Sequence, residues 1–386
     1  MCHRNARRVL LLCLGVLIAS VHAAAANAPR ARWSQQQAWD YMNLQPWPVG
    51  SNFLPKDAIN QLEMFQQATY DPAEIDKEFG WAESAGMTTM RIFLHDLLWQ
   101  QDAQGFEERL DQTLAIAAKH HIKPVLVLFD SCWDPNPVLG PQHPPIPGVH
   151  NSGWVQSPGV ALADPSQLSR FKAYVTGIIG RFASDNRILA WDLWNEPDNP
   201  GGGDYVNLPN KKQLVEQMLP NVFAWARSVG AIQPLTSGVW GHKSWDDPNT
   251  WSPTERIQLT QSDIISFHNY GWPEDFEARI VSLEKLHRPI LCTEYMARSA
   301  GSTIDTILPI AARHHVGAIN WGLVQGKMQT WLPWDSWKVP YVNREPTVWF
   351  HDLFYPDGTP YREREIEIIR SLSAQMNKQS HAPAGH

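Results

Sequence analysis

Eight short apolar runs, separated by segments with helical periodicity, constrain the fold of this chain more than any other feature. Each run has the length of a buried strand and is rich in β-branched or aromatic residues. The runs cover residues 47–55, 88–94, 124–130, 188–197, 233–240, 264–271, 289–295 and 317–323. Strands that alternate with helices form parallel sheets, and eight of them in one chain predict a single (β/α)8 barrel, a TIM barrel, with enlarged βα loops.

The fourth run ends in an unusual way, because the apolar strand stops at Asn195-Glu196-Pro197. Pro197 ends the strand and biases Glu196 away from helical backbone angles. Glu294 ends the seventh run in the same manner. In a TIM barrel the carboxyl ends of the strands form the active-site face, so both carboxylates are expected in the mouth of the barrel.

A single Glu at a strand end is more often a structural ion-pair partner than a catalyst. The pair is a stronger signal, because Arg91, His268, Tyr270 and Trp321 are also predicted to lie on strands. An Arg is almost never buried unpaired, so Arg91 needs a carboxylate nearby. Two carboxylates that flank a glycosidic bond are sufficient for its hydrolysis.

Three motifs carry a resemblance to a known group of enzymes: Trp194-Asn195-Glu196-Pro197, Thr293-Glu294-Tyr295 and His268-Asn269-Tyr270. They resemble glycoside hydrolase clan A, the (β/α)8 retaining enzymes, and are closest to family 5, the cellulase- and mannanase-like enzymes. The resemblance extends over residues 47–371. It implies that Glu196 is the acid/base and that Glu294 is the nucleophile.

The same resemblance assigns further residues to the substrate site. Asn195 would bond the sugar 2-hydroxyl, Arg91 would orient the nucleophile, and Trp321 would form the stacking floor of the −1 subsite. His268 and Tyr270 would hold the two carboxylates.

The sequence departs from the family pattern at the end of the third strand. Many members carry a His there, whereas this chain has Asp130-Ser131-Cys132-Trp133. The sugar preference on that side of the site is therefore open.

The chain contains 19 Trp, a surplus that suits a cleft in which indole rings stack on sugar faces. A long connection, residues 131–165, follows the third strand, and loops of this length in a compact domain are usually functional. Trp133 and Trp154 on this loop are predicted to contact sugar. The alternative is a rigid lid, held by prolines, that makes no direct contact.

The expected chemistry requires a specific arrangement of charge. In a retaining enzyme the two carboxyl groups lie about 5–5.5 Å apart. We expect Glu294 to keep a low pKa beside Arg91, and we expect the charge on Glu294 to raise the pKa of Glu196. The chemistry needs no metal and no organic cofactor.

Charge and termini limit the partners and the location. The net charge of −7 and the lack of a long basic run beyond the N-terminus argue against nucleic acid. A basic start, an apolar stretch from Val9 to Val21 and small residues up to Ala26 predict a signal peptide over residues 1–26, and therefore a periplasmic or secreted protein.

The remaining chain is divided into a catalytic domain, residues 27–378, and a disordered tail, residues 379–386. No later segment is long and apolar enough to enter a membrane, and we expect a monomer. Signal cleavage would leave Cys132 and Cys292, which we expect to be buried free thiols.

The sequence therefore predicts a glycosidase that hydrolyses O-glycosyl bonds in a β-linked mannan, glucan or xylan, or in an oligosaccharide of one of these. Two alternatives remain: a transglycosylase that uses the same residues, and a carbohydrate-binding barrel without activity. Whether cleavage occurs at chain ends or internally depends on whether the loop of residues 131–165 blocks one end of the cleft.

Overall fold

The computed structural model describes residues 29–242 and 244–380. The predicted signal peptide and residues 381–386 of the predicted tail lie outside this part of the chain. Eight parallel strands form one sheet: β1 (Val49–Phe53), β2 (Thr89–Phe93), β3 (Val125–Asp130), β4 (Ala190–Asn195), β5 (Leu235–Thr236), β6 (Ile265–His268), β7 (Ile290–Tyr295) and β8 (Gly317–Trp321). The predicted (β/α)8 architecture is thus confirmed.

Helices cover the outside of the sheet. Their bounds are α1 (Gln35–Asn43), α2 (Gln61–Phe65), α3 (Pro72–Ser84), α4 (Asp96–Lys119), α5 (Leu168–Arg181), α6 (Lys211–Ser228), α7 (Pro253–Gln261), α8 (Pro273–Glu284), α9 (Ile304–Arg313) and α10 (Glu363–Ser380). None of the described helices is long and apolar enough to cross a membrane.

The sheet curls into a nearly closed barrel. The strand order is β5-β4-β3-β2-β1-β8-β7-β6, so only β5 and β6 lack a regular ladder between them. One parallel bridge from Val239 to Phe267 spans this seam. The Val239 amide donates to Ser266, and the Val239 carbonyl accepts from His268. The seam therefore closes at the mouth of the barrel, beside the end of β6.

Strand β5 is shorter than predicted, because the run over residues 233–240 keeps regular pairing only at Leu235 and Thr236. Helix α4 begins at Asp96, and His95 caps its first turn by accepting from the Leu97 amide. Non-helical angles at Asp102 interrupt α4.

Helix α7 is absent from the sequence prediction, although Ser252 and Glu255 form a capping box at its start. Helix α10 continues to Ser380, into the first two residues of the predicted tail.

Two loops at the mouth of the barrel are long enough to shape a binding site. We name residues 131–164, between β3 and α5, the β3 loop, and residues 322–362, between β8 and α10, the β8 loop. The strands beneath them are buried along their whole length, so the loops rest on a rigid apolar base.

Tight packing between β1 and β2 predicts opposite effects for two glycine substitutions. A Cβ on Gly50 would lie 1.8 Å from the backbone oxygen of Thr89, whereas a Cβ on Gly80 in α3 would meet only His120, at 3.5 Å. We expect Gly50→Ala to lower the free energy of unfolding by about 3 kcal/mol or more through overpacking. Gly80→Ala should raise it by up to about 1 kcal/mol through helix propensity. Denaturant unfolding of both variants measures the difference, and equal effects would contradict this packing of β1 against β2.

Candidate active site

Arg91, on β2, is fully buried at the base of the barrel mouth. Its Nη1 donates to Glu294 Oε1 at 2.9 Å, and its Nη2 donates to Asp192 Oδ2 at 2.8 Å and to Asn195 Oδ1 at 2.7 Å. A buried guanidinium is tolerated only when its donors are satisfied and its charge is compensated. Arg91 therefore fixes the ends of β4 and β7 relative to β2. Its contact with Glu294 is the one that the sequence resemblance predicts.

Glu294 lies at the end of β7 and is 6% exposed. Its second oxygen, Oε2, accepts a hydrogen bond of 2.8 Å from the Tyr270 hydroxyl. Both carboxylate oxygens are thus held by donors, one of them cationic. Such an arrangement favours the ionised form and fixes the direction in which the carboxylate can react.

Glu196 directly follows β4 and has a φ of 41°. This is the left-handed region, which a non-glycine residue adopts at a cost of about 1–3 kcal/mol and which is enriched at functional sites. His268 Nδ1 lies 2.7 Å from Glu196 Oε1. On the other oxygen, the Asn199 amide donates and the Cys132 thiol lies at 3.4 Å. All of these partners of Glu196 are neutral groups or an imidazole.

The two carboxylates lie close together. One oxygen of Glu196, one oxygen of Glu294 and a ring nitrogen of His268 all lie within 4.8 Å of one another. Three such atoms could ligate a cation. However, the Arg91 charge already contacts Glu294, so the local field disfavours a second positive charge there.

Burial raises the pKa of both carboxyl groups above the ordinary range for Glu. For Glu294 the expected low pKa is wrong, because loss of hydration and the nearby charge of Glu196 outweigh the Arg91 charge and the Tyr270 hydrogen bond, which lower this pKa. Two acids this close titrate as a coupled pair, because the charge on one carboxylate disfavours ionisation of the other.

Burial lowers the pKa of His268 to about 4, although the charge of Glu294 opposes the change. The imidazole is therefore neutral near pH 7. Its Nε2 is buried and has no hydrogen-bond partner among the described residues. His268 thus acts on Glu196 through Nδ1 as a neutral hydrogen-bonding group.

The two carboxylates open into a cavity of about 280 Å³. Every site residue predicted from the sequence lies in or directly beside this cavity. Arg91 and His268 do not line it but contact the carboxylates that do. The predicted residues in the lining are Trp133, Trp154, Asn195, Glu196, Tyr270, Glu294 and Trp321. The predicted arrangement of residues is therefore present in one place.

The two tryptophans of the β3 loop differ from one another. Trp154 is only 1% exposed, and its Nε1 donates to Asp130. Trp133 is half-buried and stacks on Trp337 of the β8 loop, with the ring centroids 5.5 Å apart and the planes at 17°. Trp154 is thus mainly a wall of the cavity, while Trp133 belongs to a stacked pair at its rim.

Asp130 is the last residue of β3. Its Oδ1 accepts from Asn195 Nδ2 at 2.8 Å, and burial raises its pKa. Asn195 is therefore clamped between Asp130 and Arg91, with its amide orientation fixed. Cys132 and Cys292 are both free thiols, as expected, but only Cys292 is buried, whereas Cys132 is half-buried.

Several cavity residues were not singled out as site residues by the sequence. They are Asp130, Cys132, Asn199, Trp240, Trp334 and His351. Most lie on loops without regular periodicity, where no local pattern indicates which side chains turn inward. The usable signals were the proximity of Asn199 to Glu196 in sequence and the position of Asp130 and Cys132 at the end of the third predicted strand.

Residues 146–327, slightly less than half of the chain, match the model of the cellulase family (glycosyl hydrolase family 5). This stretch is a glycosyl hydrolase family 5 domain. It contains Glu196, His268, Glu294 and Trp321, so the family resemblance deduced from the sequence is confirmed.

The chain is also similar to individual mannan-degrading proteins. Over 90 residues it is 28% identical to mannan endo-1,4-beta-mannosidase A from Emericella nidulans, an alignment that covers 23% of this chain and 21% of that protein. The chain thus spans about a fifth of the length of this curated relative.

Solved structures of mannan-degrading enzymes share the fold. An exo-beta-1,4-mannosidase from Opitutaceae bacterium strain TAV5 superposes with a TM-score of 0.56 at 17% identity, over 87% of this chain and 60% of that one. An endo-beta-1,4-mannanase from Thermotoga petrophila gives 0.54 at 14% identity, over 89% of this chain and 80% of that one.

The network of Arg91 predicts a pH-dependent loss of stability in the variant Arg91→Met. Without the guanidinium, Asp192 and Glu294 are buried anions without a cation, and we expect the free energy of unfolding to fall by about 3–5 kcal/mol at pH 7.5. In the variant, the folded-state pKa values of Asp192 and Glu294 rise further above their unfolded-state values. Ionisation of the two groups then costs free energy in the folded state, so the variant loses stability as the pH increases from 4.5 to 7.5. The deficit relative to the parent should therefore narrow at pH 4.5.

Urea unfolding at both pH values measures this deficit. The control is Asn52→Ala, which removes a neutral acceptor of Arg91 Nη1 at 2.9 Å and should give a smaller deficit that does not change with pH. A deficit of Arg91→Met that is equal at both pH values would contradict the assigned charges.

Proposed function

We propose that the chain is a retaining β-glycoside hydrolase that cleaves O-glycosidic bonds by double displacement, with Glu294 as nucleophile and Glu196 as acid/base. The observation that carries this proposal is the closeness of the two carboxylates: one oxygen of Glu196 and one oxygen of Glu294 lie within 4.8 Å of each other, and both residues line the same cavity. Retaining enzymes place their carboxyl groups about 5–5.5 Å apart, whereas inverting enzymes need about 6.5–9.5 Å to admit a water molecule between acid and base.

The partners of the two groups support the division of roles. Glu294 has the ion pair with Arg91 and the hydrogen bond from Tyr270, so it carries the negative charge of the shared pair. Glu196 has only neutral partners and its pKa is raised, so it carries the proton.

In the first step Glu294 attacks the anomeric carbon, and the bond from that carbon to the leaving oxygen breaks. Glu196 donates its proton to the leaving oxygen, which departs as a hydroxyl group of the aglycone. The charge of Glu294 is consumed in the new ester bond. The loss of that neighbouring charge lowers the pKa of Glu196, which is now an anion.

In the second step Glu196 removes a proton from water, and the water oxygen attacks the anomeric carbon from the face that the aglycone left. The ester bond to Glu294 breaks, and both carboxyl groups return to their starting states. His268 stays beside Glu196 throughout and positions it for both proton transfers.

Neighbouring side chains would position the sugar for both steps. Asn195, held by Asp130 and Arg91, presents its amide to the 2-hydroxyl, and Trp321 forms the floor under the ring. Trp133 and Trp154 contribute to the wall. We propose a β-linked mannose polymer or oligomer as the first substrate to test, since the similar proteins named above are mannanases and a mannosidase.

Alanine variants of the two carboxylates test the mechanism on dinitrophenyl glycosides, whose leaving group needs no acid. Glu294→Ala and Glu196→Ala should each lose about 10²–10⁴-fold in kcat/KM on a natural oligosaccharide. On the dinitrophenyl substrate, Glu196→Ala should still form the glycosyl-enzyme, and added azide should capture it as the β-glycosyl azide. Glu294→Ala should give only the α-glycosyl azide, because azide then replaces the nucleophile.

The control is Asp357→Asn, which changes an exposed carboxylate of the β8 loop that accepts from the Thr359 amide and does not line the cavity. It should retain most activity. If the parent turns over no β-mannoside, β-glucan or xylan, while Glu294→Ala binds these glycans as tightly as the parent, the protein is a binding barrel and the proposal is wrong.

A further inference from the structure

The β3 loop and the β8 loop are hydrogen-bonded to each other across one side of the barrel mouth. The Asn151 amide donates to Met328 at 2.9 Å, and the Tyr341 amide donates to Gly148 at 2.8 Å. The Gln329 side chain donates to two further carbonyls of the β3 loop, at 2.8 and 3.0 Å. Backbone contacts of this kind make the two loops a single wall.

The wall formed by the β3 and β8 loops packs directly against Trp321, which is the floor of the cavity. Trp154 packs edge-on against Trp321, with the ring centroids 5.6 Å apart. At the rim, Trp337 of the β8 loop covers a face of Trp133. On this side the cavity is therefore bounded by the buried ring of Trp154 and by the half-buried pair of Trp133 and Trp337.

The cavity is small. Its volume of about 280 Å³ is at the lower end of the roughly 300–1,000 Å³ that is usual for ligand pockets. The opposite side, near the ends of β5 and β6, presents Trp240 at the cavity edge and Trp272, which is 67% exposed. The site is thus closed at one end and accessible at the other.

Two imidazoles, His150 and His351, line the cavity. His150 Nδ1 lies 2.7 Å from the carbonyl of Leu332, and His351 Nδ1 lies 2.5 Å from the carbonyl of Met296. A carbonyl only accepts, so each Nδ1 carries the proton. Burial lowers the pKa of His150 to about 4 and lowers that of His351 as well, so both rings are neutral near pH 7.

The tautomer decides what these rings offer to a ligand. With the proton on Nδ1, each Nε2 has a free lone pair and can only accept a hydrogen bond. The ring centroids lie 5.4 Å apart, so the two rings are neighbours in the lining and one sugar can reach both. A free hydroxyl can donate to such a pair, whereas the oxygen of a glycosidic bond has no hydrogen to donate.

We propose that the cavity is a blind pocket for the single non-reducing terminal sugar of a β-linked chain, in which Nε2 of His150 and His351 accept hydrogen bonds from free hydroxyls of that sugar. This inference rests on the proposed glycosidase activity. It makes the protein an exo-acting enzyme that removes one sugar at a time, with the aglycone leaving past Trp240.

Product sizing on β-linked mannooligosaccharides labelled at the reducing end tests the direction of cleavage. The blind pocket predicts labelled products that shorten by one sugar at a time, with the monosaccharide as the only unlabelled product. An oligosaccharide whose terminal non-reducing sugar carries a bulky substituent should not be cleaved. Internal cleavage would overturn the blind pocket but leave the glycosidase proposal intact, whereas no turnover on any β-glycan would overturn the proposed function.

The variants His150→Asn and His351→Asn test the acceptor pair. An Asn amide can replace the Nδ1–H donor to the backbone carbonyl, so the fold is kept while the Nε2 acceptor is removed. Each variant should lose about 3–10-fold in kcat/KM on an aryl glycoside of the parent sugar, the value of one neutral hydrogen bond. The matched control is His143→Asn, because His143 is an exposed residue of the same loop that bonds a backbone carbonyl outside the cavity.

Deoxy sugars separate recognition from a structural role. On a deoxy sugar that lacks the hydroxyl contacted by one imidazole, the kcat/KM of the parent should fall by the same factor as in the Asn variant of that imidazole. That Asn variant has already lost the hydrogen bond, so its own kcat/KM should fall little further on the deoxy sugar. If both Asn variants have the kcat/KM of the parent, the proposal that the two imidazoles accept hydrogen bonds from the sugar is overturned. It is also overturned if the kcat/KM of the variants falls by the same factor on every deoxy substrate.

Discussion

A single buried guanidinium determines the geometry of this site. Arg91 is fully buried and its charge is compensated only by Asp192 and Glu294, with Asn52 and Asn195 as neutral acceptors. Each of these contacts is needed, because an unpaired buried charge costs several kcal/mol. Strands β1, β2, β4 and β7 therefore meet around one cation, and the carboxylate of Glu294 has little freedom to turn away from the cavity.

The two catalytic candidates are distinguished by their partners and not by burial. Both are nearly inaccessible, and burial raises the pKa of both. Only Glu294 contacts a cation, while Glu196 is surrounded by an amide, a thiol and a neutral imidazole. The strained backbone of Glu196, with its φ of 41°, suggests that the chain gives up some stability to direct this side chain into the cavity.

Much of the fold could be predicted from the sequence, because buried parallel strands and amphipathic helices leave local patterns. The positions of Glu196 and Glu294 at strand ends could be predicted for the same reason. The shortness of β5 could not, because it depends on a seam where the described residues form one parallel bridge, at Val239, and a hydrogen bond between the Thr236 and Ser266 hydroxyls. The inward orientation of His351 also left no local signal: it depends on a carbonyl of Met296, far away in sequence and on another loop. The raised pKa of Glu294 could not be foreseen either, because the sequence reveals its cationic partner but not how completely the pair is buried.

The stereochemistry of the first product tests the central claim most directly, because it reports the separation of the carboxylates without depending on any variant. Proton NMR of the parent enzyme acting on an aryl β-glycoside resolves the anomers before they equilibrate in water. Double displacement by Glu294 and Glu196 predicts that the β-anomer appears first and that the α-anomer grows in later by mutarotation. Initial formation of the α-anomer would mean a single displacement and would contradict the assignment of Glu294 as a nucleophile.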